Sequence, residues 1–132
     1  MNYINKNEVI KLIDNNEYKY LWVNTYSDIY LKDIHNEKVN FFNDDLDNLI
    51  EAKLFNNEKE LSIMPGNKEG MFSVVKFNPD EYEDFIEEKQ VLNKYKLKHE
   101  INKLIIRHYL KYDEDGQAYV AYTKLCRVEG EK

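Results

Sequence analysis

Residues 102–128, NKLIIRHYLKYDEDGQAYVAYTKLCRV, carry the clearest structural signal in this chain. Two runs rich in β-branched and aromatic residues flank the dipeptide Asp115-Gly116. Asp and Gly tolerate the positive φ angles of a two-residue type I′ turn, so this arrangement favours a β-hairpin. We therefore predict two antiparallel strands joined at Asp115-Gly116, with Gly116 at positive φ.

The predicted turn also fixes which residues of the hairpin face each other. Because side chains alternate between the two faces of a sheet, counting outward from Glu114 and Gln117 gives two sets of pairs. The mostly apolar set is predicted to face the core: Tyr112 with Tyr119, Leu110 with Ala121, His108 with Thr123, and Ile106 with Leu125. The set that mixes Tyr with Lys and Arg is predicted to face outward: Lys111 with Val120, Tyr109 with Tyr122, Arg107 with Lys124, and Ile105 with Cys126. A three- or four-residue loop through Asp113 and Glu114 is the alternative, and it shifts the register by one and exchanges the faces on one strand.

Composition predicts one globular domain over residues 1–132. Hydrophobic residues make up 42% and charged residues 33% of the 132 residues, which is typical of a folded domain with a sizeable core. The net charge of −6 argues against broad nucleic-acid binding, which depends on neutralising phosphates. Arginine, the preferred residue for bidentate phosphate contacts, occurs only at Arg107 and Arg127.

The single cysteine and the absence of long apolar runs indicate in which cellular compartment the protein is expected. The single cysteine, Cys126, excludes a disulfide framework and fits a reducing environment. The sequence shows neither a signal peptide nor an apolar run long enough to span a membrane. We therefore expect a cytoplasmic protein with no membrane contact.

The rest of the chain predicts short strands with a few helical segments. Asn5–Asn15 is predicted as a helix because Asn5 and Glu8 resemble a capping box, and Pro79 is predicted to begin a second helix through PDEYEDFIEE. Asp44–Ile50 is ambiguous, and 90–100 is predicted to be a loop. The predicted strands are Tyr18–Asn24, Ile29–Ile34, Ala52–Asn56, Lys59–Met64 and Met71–Phe77. The expected class is α+β, with a mostly antiparallel sheet or partly closed barrel of about six to seven strands and two short helices.

The histidines and acidic clusters do not form a recognisable metal or catalytic motif. His99-Glu100 begins like a zinc-protease helix, but Lys103 occupies the position of the second histidine. The acids Asp113–Asp115 lack the ligand spacing of a calcium loop, and the four glycines are scattered. We therefore expect no enzyme, no metal, no cofactor and no small-molecule substrate.

Three other side chains are expected to be structural. His108 is predicted to be a hydrogen-bonded core residue beside Thr123, and Cys126 a small buried hydrophobe. Trp22, the only tryptophan, is expected to anchor the core, with an interface role as the alternative.

Two segments, taken together, resemble a known family. They are EAKLF at Glu51–Phe55 followed by ELSI at Glu60–Ile63, and RHYLKYDEDGQA at Arg107–Ala118. In this order they are similar to a family of small accessory proteins encoded in type III CRISPR-Cas loci, especially of the D subtype. The similar segments cover about a quarter of the chain. The resemblance implies a non-catalytic subunit of an RNA-guided effector complex that packs against larger protein subunits, and any contact with guide RNA is expected to be indirect.

The outward face of the hairpin is the candidate partner-binding surface. Its residues are Arg107, Tyr109, Lys111, Tyr122 and Lys124. Adjacent tyrosines rimmed by basic residues match the composition of binding hot spots. Packing on a solvated sheet face is the alternative for these residues, and if another part of the chain covers them they belong to the core. The alternative function is a free-standing acidic interaction module, such as an immunity or regulatory protein.

Overall fold

The computed structural model describes residues 2–15, 17–35, 43–90 and 104–127. These residues form nine strands and two α-helices. The strands are β1 (Asn2–Asn5), β2 (Tyr20–Thr25), β3 (Ile29–Asp33), β4 (Leu49–Phe55), β5 (Glu60–Pro65), β6 (Met71–Lys76), β7 (Asp84–Gln90), β8 (Leu104–Tyr112) and β9 (Ala118–Arg127), and the helices are α1 (Lys6–Ile13) and α2 (Asn43–Asp47). The α+β class with mostly antiparallel pairing is confirmed, although the strand number exceeds the predicted six to seven.

A six-stranded antiparallel sheet is the centre of the fold. Its strand order is β1-β6-β5-β4-β2-β3, so β1 and β3 form its edges. Leu21 and Val23 on β2 and Leu54 on β4 point to the same face, where α1 and α2 cover them through Val9 and Leu46. This first face therefore holds the main apolar core.

Helix α1 forms where the capping signal predicted it. The Asn5 side chain accepts a hydrogen bond from the Glu8 N–H at 3.0 Å, and the Glu8 carboxylate accepts one from the Asn5 N–H at 3.3 Å. This capping box satisfies two N–H groups that lack helical partners. Val9 and Ile13, one turn apart, are the buried residues of the helix.

The predicted hairpins β2–β3 and β4–β5 are both present. β2 pairs antiparallel with β3, and β4 with β5. Both turns are closed by a short polar residue: Thr25 Oγ1 accepts from Asp28 N–H at 3.0 Å, and Asn56 Oδ1 accepts from Lys59 N–H at 2.7 Å. Strand β1, which was not predicted, adds to the sheet edge by pairing with β6.

Strands β7, β8 and β9 form a separate three-stranded antiparallel sheet in that order. The helix predicted from Pro79 is wrong beyond its first turn: Pro79–Glu81 is a single 3-10 turn, and the chain then enters strand β7. Pairing with β8 along seven residues decides this outcome, because it places Phe85 opposite Tyr109 and Ile86 opposite His108. The predicted loop 90–100 lies outside the described residues, except Gln90, which ends β7.

The turn between β8 and β9 follows the longer alternative rather than a type I′ turn. Gly116 N–H donates to the Asp113 carbonyl at 3.0 Å, which centres the turn on Glu114 and Asp115. Gly116 has a φ of 78°, so its predicted positive φ is confirmed. The Asp113 carboxylate accepts hydrogen bonds from the N–H groups of Asp115 and Gln117, at 2.9 and 2.8 Å. This is a three-residue hairpin loop, in which a β-turn is followed by a glycine in the left-handed conformation.

A β-bulge divides the hairpin into two registers. From Ile105 opposite Cys126 to Tyr109 opposite Tyr122, the pairs are those predicted. Beyond Tyr109 the register shifts, and Ala121 is the extra residue. The predicted pairs near the turn are therefore wrong; the observed ones are Leu110 with Val120, Lys111 with Tyr119, and Tyr112 with Ala118.

Candidate functional site

The three-stranded sheet packs over the second face of the six-stranded sheet, opposite α1. A row of side chains runs across this second face through strands β3, β2, β4, β5 and β6: Leu31, Trp22, Lys53, Ser62 and Val75. A neighbouring row contains Tyr20, Phe55 and Glu60. Leu125 packs with Tyr20, Leu31 and Phe55 in a small apolar cluster that joins the two sheets.

The predicted outward face of the hairpin is buried at its centre, which corrects the predicted orientation. Tyr109 is 8% exposed and Lys124 is fully buried, while Arg107, Lys111 and Tyr122 are half-buried. The cover is an aromatic layer, in which the ring centroid of Phe77 lies 4.7 Å from that of Tyr109 and 5.1 Å from that of Tyr122. Tyr109 and Lys124 are therefore held inside this fold. A partner-binding role for the other three residues stays a prediction.

Lys124 is a fully buried charged side chain at the junction between the sheets. Its Nζ donates to the carbonyl of Asn56 at 2.6 Å and to that of Leu125 at 3.0 Å. The ammonium also lies 5.9 Å from the ring centroids of both Phe55 and Phe77. Carbonyl oxygens and aromatic faces thus replace the water that an ammonium normally holds.

Glu60 and Lys53 form a second charged group beside Lys124. The buried Glu60 carboxylate accepts from Leu125 N–H at 3.3 Å, and its other oxygen lies 3.5 Å from Lys53 Nζ. Lys53 Nζ also donates to the Thr123 carbonyl at 3.1 Å and lies 4.6 Å from the ring centroid of Tyr122. These contacts bind β4 and β5 of one sheet to β9 of the other. We call Lys53, Glu60, Tyr122 and Lys124 the charged junction.

Burial shifts the titration of the charged junction. It raises the pKa of Glu60, although Lys53, a hydrogen bond from Tyr122, Lys124 and the Leu125 N–H all act in the opposite direction. Burial also raises the pKa of Tyr122, and the adjacent Glu60 raises it further. For Lys124 the same desolvation lowers the pKa, which Cys126 and Glu60 partly oppose. For each of the three side chains the net shift of the pKa is therefore in the direction of the neutral form.

Cys126 is buried, as predicted, and its neighbourhood does not activate it. Its Sγ lies 3.7 Å from Lys124 Nζ, and burial raises the pKa of the thiol although Lys124 and Arg107 favour the thiolate. A thiol held in its protonated form is a poor nucleophile. This environment is that of a structural cysteine.

His108 makes the predicted hydrogen bond but lies at the surface rather than in the core. Its Nδ1 is 3.1 Å from Thr123 Oγ1, and its Nε2 is 3.1 Å from a carboxylate oxygen of Glu88 on β7. The side chain is 29% exposed. These contacts use both ring nitrogens to join the three strands of the small sheet.

A cleft of about 720 Å³ opens beside the charged junction, between the second face and the β8–β9 hairpin. Its polar lining is contributed by Asn24, Glu51, Lys53, Ser62, Tyr122 and Thr123. Its apolar lining is contributed by Trp22, Ile29, Met64, Val75, Ile106, Ala121 and Leu125. A concave site of this size with a few convergent polar groups can hold a small organic molecule.

Sequence reasoning missed this cleft and the charged junction, although β4 and β5 contained a signal. Glu51 and Lys53 alternate with apolar residues on β4, as Glu60 and Ser62 do on β5. That period of two indicates a sheet with distinct faces. The local pattern does not reveal that a second sheet covers the charged face.

The three-stranded sheet exposes apolar side chains around the bulge and between the bulge and the β8–β9 turn. These are Phe85, Ile86, Tyr112, Tyr119 and Val120, each between 47% and 55% exposed. We call them the distal patch. Register places Ile86, Tyr112 and Val120 on one face of the small sheet, and Phe85 and Tyr119 on the other. Exposed apolar groups of this kind often mark interaction surfaces.

The part of the chain that the structure describes contains no group of three or more His, Cys, Asp or Glu side chains arranged to hold a metal ion. His99, which begins the incomplete zinc-protease motif, lies outside that part. None of the described helices is long and apolar enough to cross a membrane. No protein-family model and no curated protein matches this chain.

Proposed function

We propose that this protein is a non-catalytic accessory subunit of a larger assembly and that it docks on a protein partner through the distal patch. The observation that carries the proposal is the group of half-exposed apolar side chains, two of them tyrosines, on the small sheet around the bulge and toward the β8–β9 turn. Tyrosine and large aliphatic residues contribute strongly to protein–protein binding energy when a partner excludes water from them.

The assembly that we propose is a type III CRISPR-Cas effector complex of the D subtype. The support is the resemblance of Glu51–Phe55, Glu60–Ile63 and Arg107–Ala118 to small accessory proteins of such loci. Part of Arg107–Ala118 forms strand β8 and the turn that present the distal patch. In this proposal the protein works in the cytoplasm, contacts guide RNA at most indirectly, and serves defence against foreign transcripts.

Charge supports a protein partner rather than direct binding to RNA. The net charge is −6. The basic side chains Lys53 and Lys124 are buried and bound to partners inside the charged junction. Direct RNA binding relies on accessible cations that neutralise phosphates. We expect the isolated protein to bind short single-stranded RNA weakly at physiological salt, and tight binding to random RNA would contradict the accessory-subunit proposal.

The test is affinity purification of the tagged full chain from its native cells, followed by mass spectrometry and RNA sequencing. The expected result is a stoichiometric complex that contains a large polymerase-like subunit, guide-binding proteins and a guide RNA. Recovery with one protein and no guide RNA would replace the proposal with the free-standing interaction module. Recovery of the chain alone would overturn docking altogether.

A substitution in the distal patch identifies the docking surface. Tyr112→Lys is expected to reduce recovery of the complex by about tenfold or more, because it places a charge where a partner buries an aromatic ring. Tyr26→Lys is the matched control, since Tyr26 is an 80% exposed tyrosine in the β2–β3 turn. Equal recovery with both variants, each folded by circular dichroism, would remove the face that holds Ile86, Tyr112 and Val120 from consideration.

A further inference from the structure

The cleft beside the charged junction has an uneven distribution of charge. Two of its lining residues are charged, Glu51 and Lys53. The Lys53 side chain is 8% exposed and is surrounded by Glu60, Tyr122 and the Thr123 carbonyl. The Glu51 side chain is 27% exposed, so its carboxylate is the charged group that the lining offers to an incoming molecule.

Neighbouring residues hold the Glu51 carboxylate in place at the cleft. Ser62 Oγ donates a hydrogen bond to Glu51 Oε2 at 2.7 Å, and Lys53 Nζ lies 3.7 Å from the same oxygen. Both contacts use Oε2, and within the described parts of the chain Oε1 is the remaining acceptor of the carboxylate. A fixed acceptor needs little reorganisation when it binds a donor.

The remainder of the lining suits an apolar body. Trp22 provides an aromatic surface, while Ile29, Met64 and Val75 surround the cleft with aliphatic and thioether groups. Trp22 and Glu51 lie on neighbouring strands of the same face, and Asn24, also on that face, is paired directly with Glu51. An aromatic ring and a carboxylate on one wall are the two elements that proteins use to bind organic cations.

We propose that the cleft binds a small organic amine: an apolar, preferably aromatic body with an ammonium group that pairs with Glu51. Its body packs on Trp22 and the surrounding apolar lining. This site is independent of the distal patch and goes beyond the docking function proposed above.

Trp22 makes the proposal directly measurable. It is the only tryptophan in the chain, so intrinsic tryptophan fluorescence reports on the cleft. We would titrate the purified full chain with phenethylamine and, as a matched probe, with hydrocinnamate, which has a similar aromatic body and a carboxylate. The expected result is a saturable change with phenethylamine and binding at least about tenfold weaker with hydrocinnamate, because a carboxylate repels Glu51. Equal responses to the two probes, or no saturable response to the amine, would overturn the proposal.

Two variants test the role of Glu51. Glu51→Gln keeps the acceptor for Ser62 but removes the charge, and it is expected to weaken phenethylamine binding about tenfold or more. Glu58→Gln, at an exposed position in the β4–β5 turn, is the control and should bind as the wild type does. Asn24→Asp adds a second carboxylate beside Glu51 and should tighten amine binding. A folding defect would not tighten binding, so this variant tests the role of charge independently of Glu51→Gln. Unchanged affinity in both cleft variants would exclude Glu51 as the ammonium partner. Tyr112→Lys should leave the phenethylamine titration unchanged, so the docking proposal and the amine-binding proposal can fail independently of each other.

Discussion

One face of the six-stranded sheet is covered by α1 and α2 through apolar side chains, whereas the other is covered by the three-stranded sheet through a layer that includes Lys53, Glu60 and Lys124. On the first face each buried aliphatic side chain contributes about 1.5–3 kcal/mol, with little dependence on its exact orientation. On the second face, the charged groups lose their hydration, and only specific hydrogen-bonding and ionic partners compensate for that loss.

The difference shows that the two covers constrain the fold differently. Apolar packing tolerates a small sliding of α1, because dispersion contacts have no direction. The charged junction does not tolerate sliding, since Lys124 needs the carbonyls of Asn56 and Leu125, and Glu60 needs the Leu125 N–H. We infer that the charged junction fixes the position of β9 over β5, while the apolar face supplies most of the stability.

The largest expected effect comes from breaking the charged junction. Glu60→Ala should lower the free energy of unfolding by about 3–5 kcal/mol, because it leaves Lys53 and Lys124 buried with fewer compensating groups. Urea unfolding of the full chain measures the change. Glu58→Ala, on the exposed turn next to β5, is the control and should shift the free energy by less than about 0.5 kcal/mol. A loss no greater than that of the control would mean that the two faces do not differ as described.

A smaller effect is expected at the hairpin turn, which lies outside both covered faces. Gly116 has a φ of 78°, and a Cβ there would meet nothing within 4 Å. Gly116→Val should therefore cost about 1–2 kcal/mol for backbone conformation alone. Gly116→Asn, which tolerates this conformation better, should cost less in the same urea experiment. Equal losses for Val and Asn would contradict a purely conformational origin.

The smallest expected effect is the pH dependence that Glu60 contributes. Its pKa is raised in the folded state from an ordinary value of 4.5, so the folded protein binds a proton more tightly than the unfolded chain. This contribution to stability is fully present below pH 4.5 and is lost as the pH rises through the folded-state pKa.

The measurement is the difference in urea unfolding free energy between the wild type and Glu60→Gln, followed upward from pH 4.5. The wild type should lose stability relative to the variant as the pH rises, because Gln does not ionise. A difference that is constant with pH, or that changes in the wild type's favour, would show that Glu60 is not held toward its neutral form.

Local signals predicted the elements in which neighbouring residues determine the structure. The Asn5–Glu8 capping box and the polar turns at Thr25–Asp28 and Asn56–Lys59 involve groups within three residues of each other. The inner pairs of the β8–β9 hairpin, from Ile105 with Cys126 to Tyr109 with Tyr122, match the prediction because the extra residue Ala121 offsets a turn that is one residue longer than predicted.

Prediction failed where distant residues decide the outcome. The acids of the predicted helix start, Asp80 and Glu81, lie in a 3-10 turn, yet the chain that follows becomes strand β7 because it pairs with β8. The tyrosines and Lys124 were assigned to the outside because of their polarity, but Phe77 and the carbonyl of Asn56 surround them. The cleft likewise joins Trp22 to Tyr122, which are far apart in the sequence. No periodicity within one segment encodes such a contact.

The bulge at Ala121 has a consequence for the shape of the hairpin. It separates the part of the hairpin that is anchored by Lys124 and Leu125 from the distal patch around Val120. Deletion of Ala121 would remove the bulge but leave Tyr109 opposite Tyr122 and Leu110 opposite Val120, so Tyr119 and Val120 would keep their faces of the sheet. The bulge therefore sets the bend and twist between the anchored end and the exposed end, and it does not decide which side chains of the exposed end share a face.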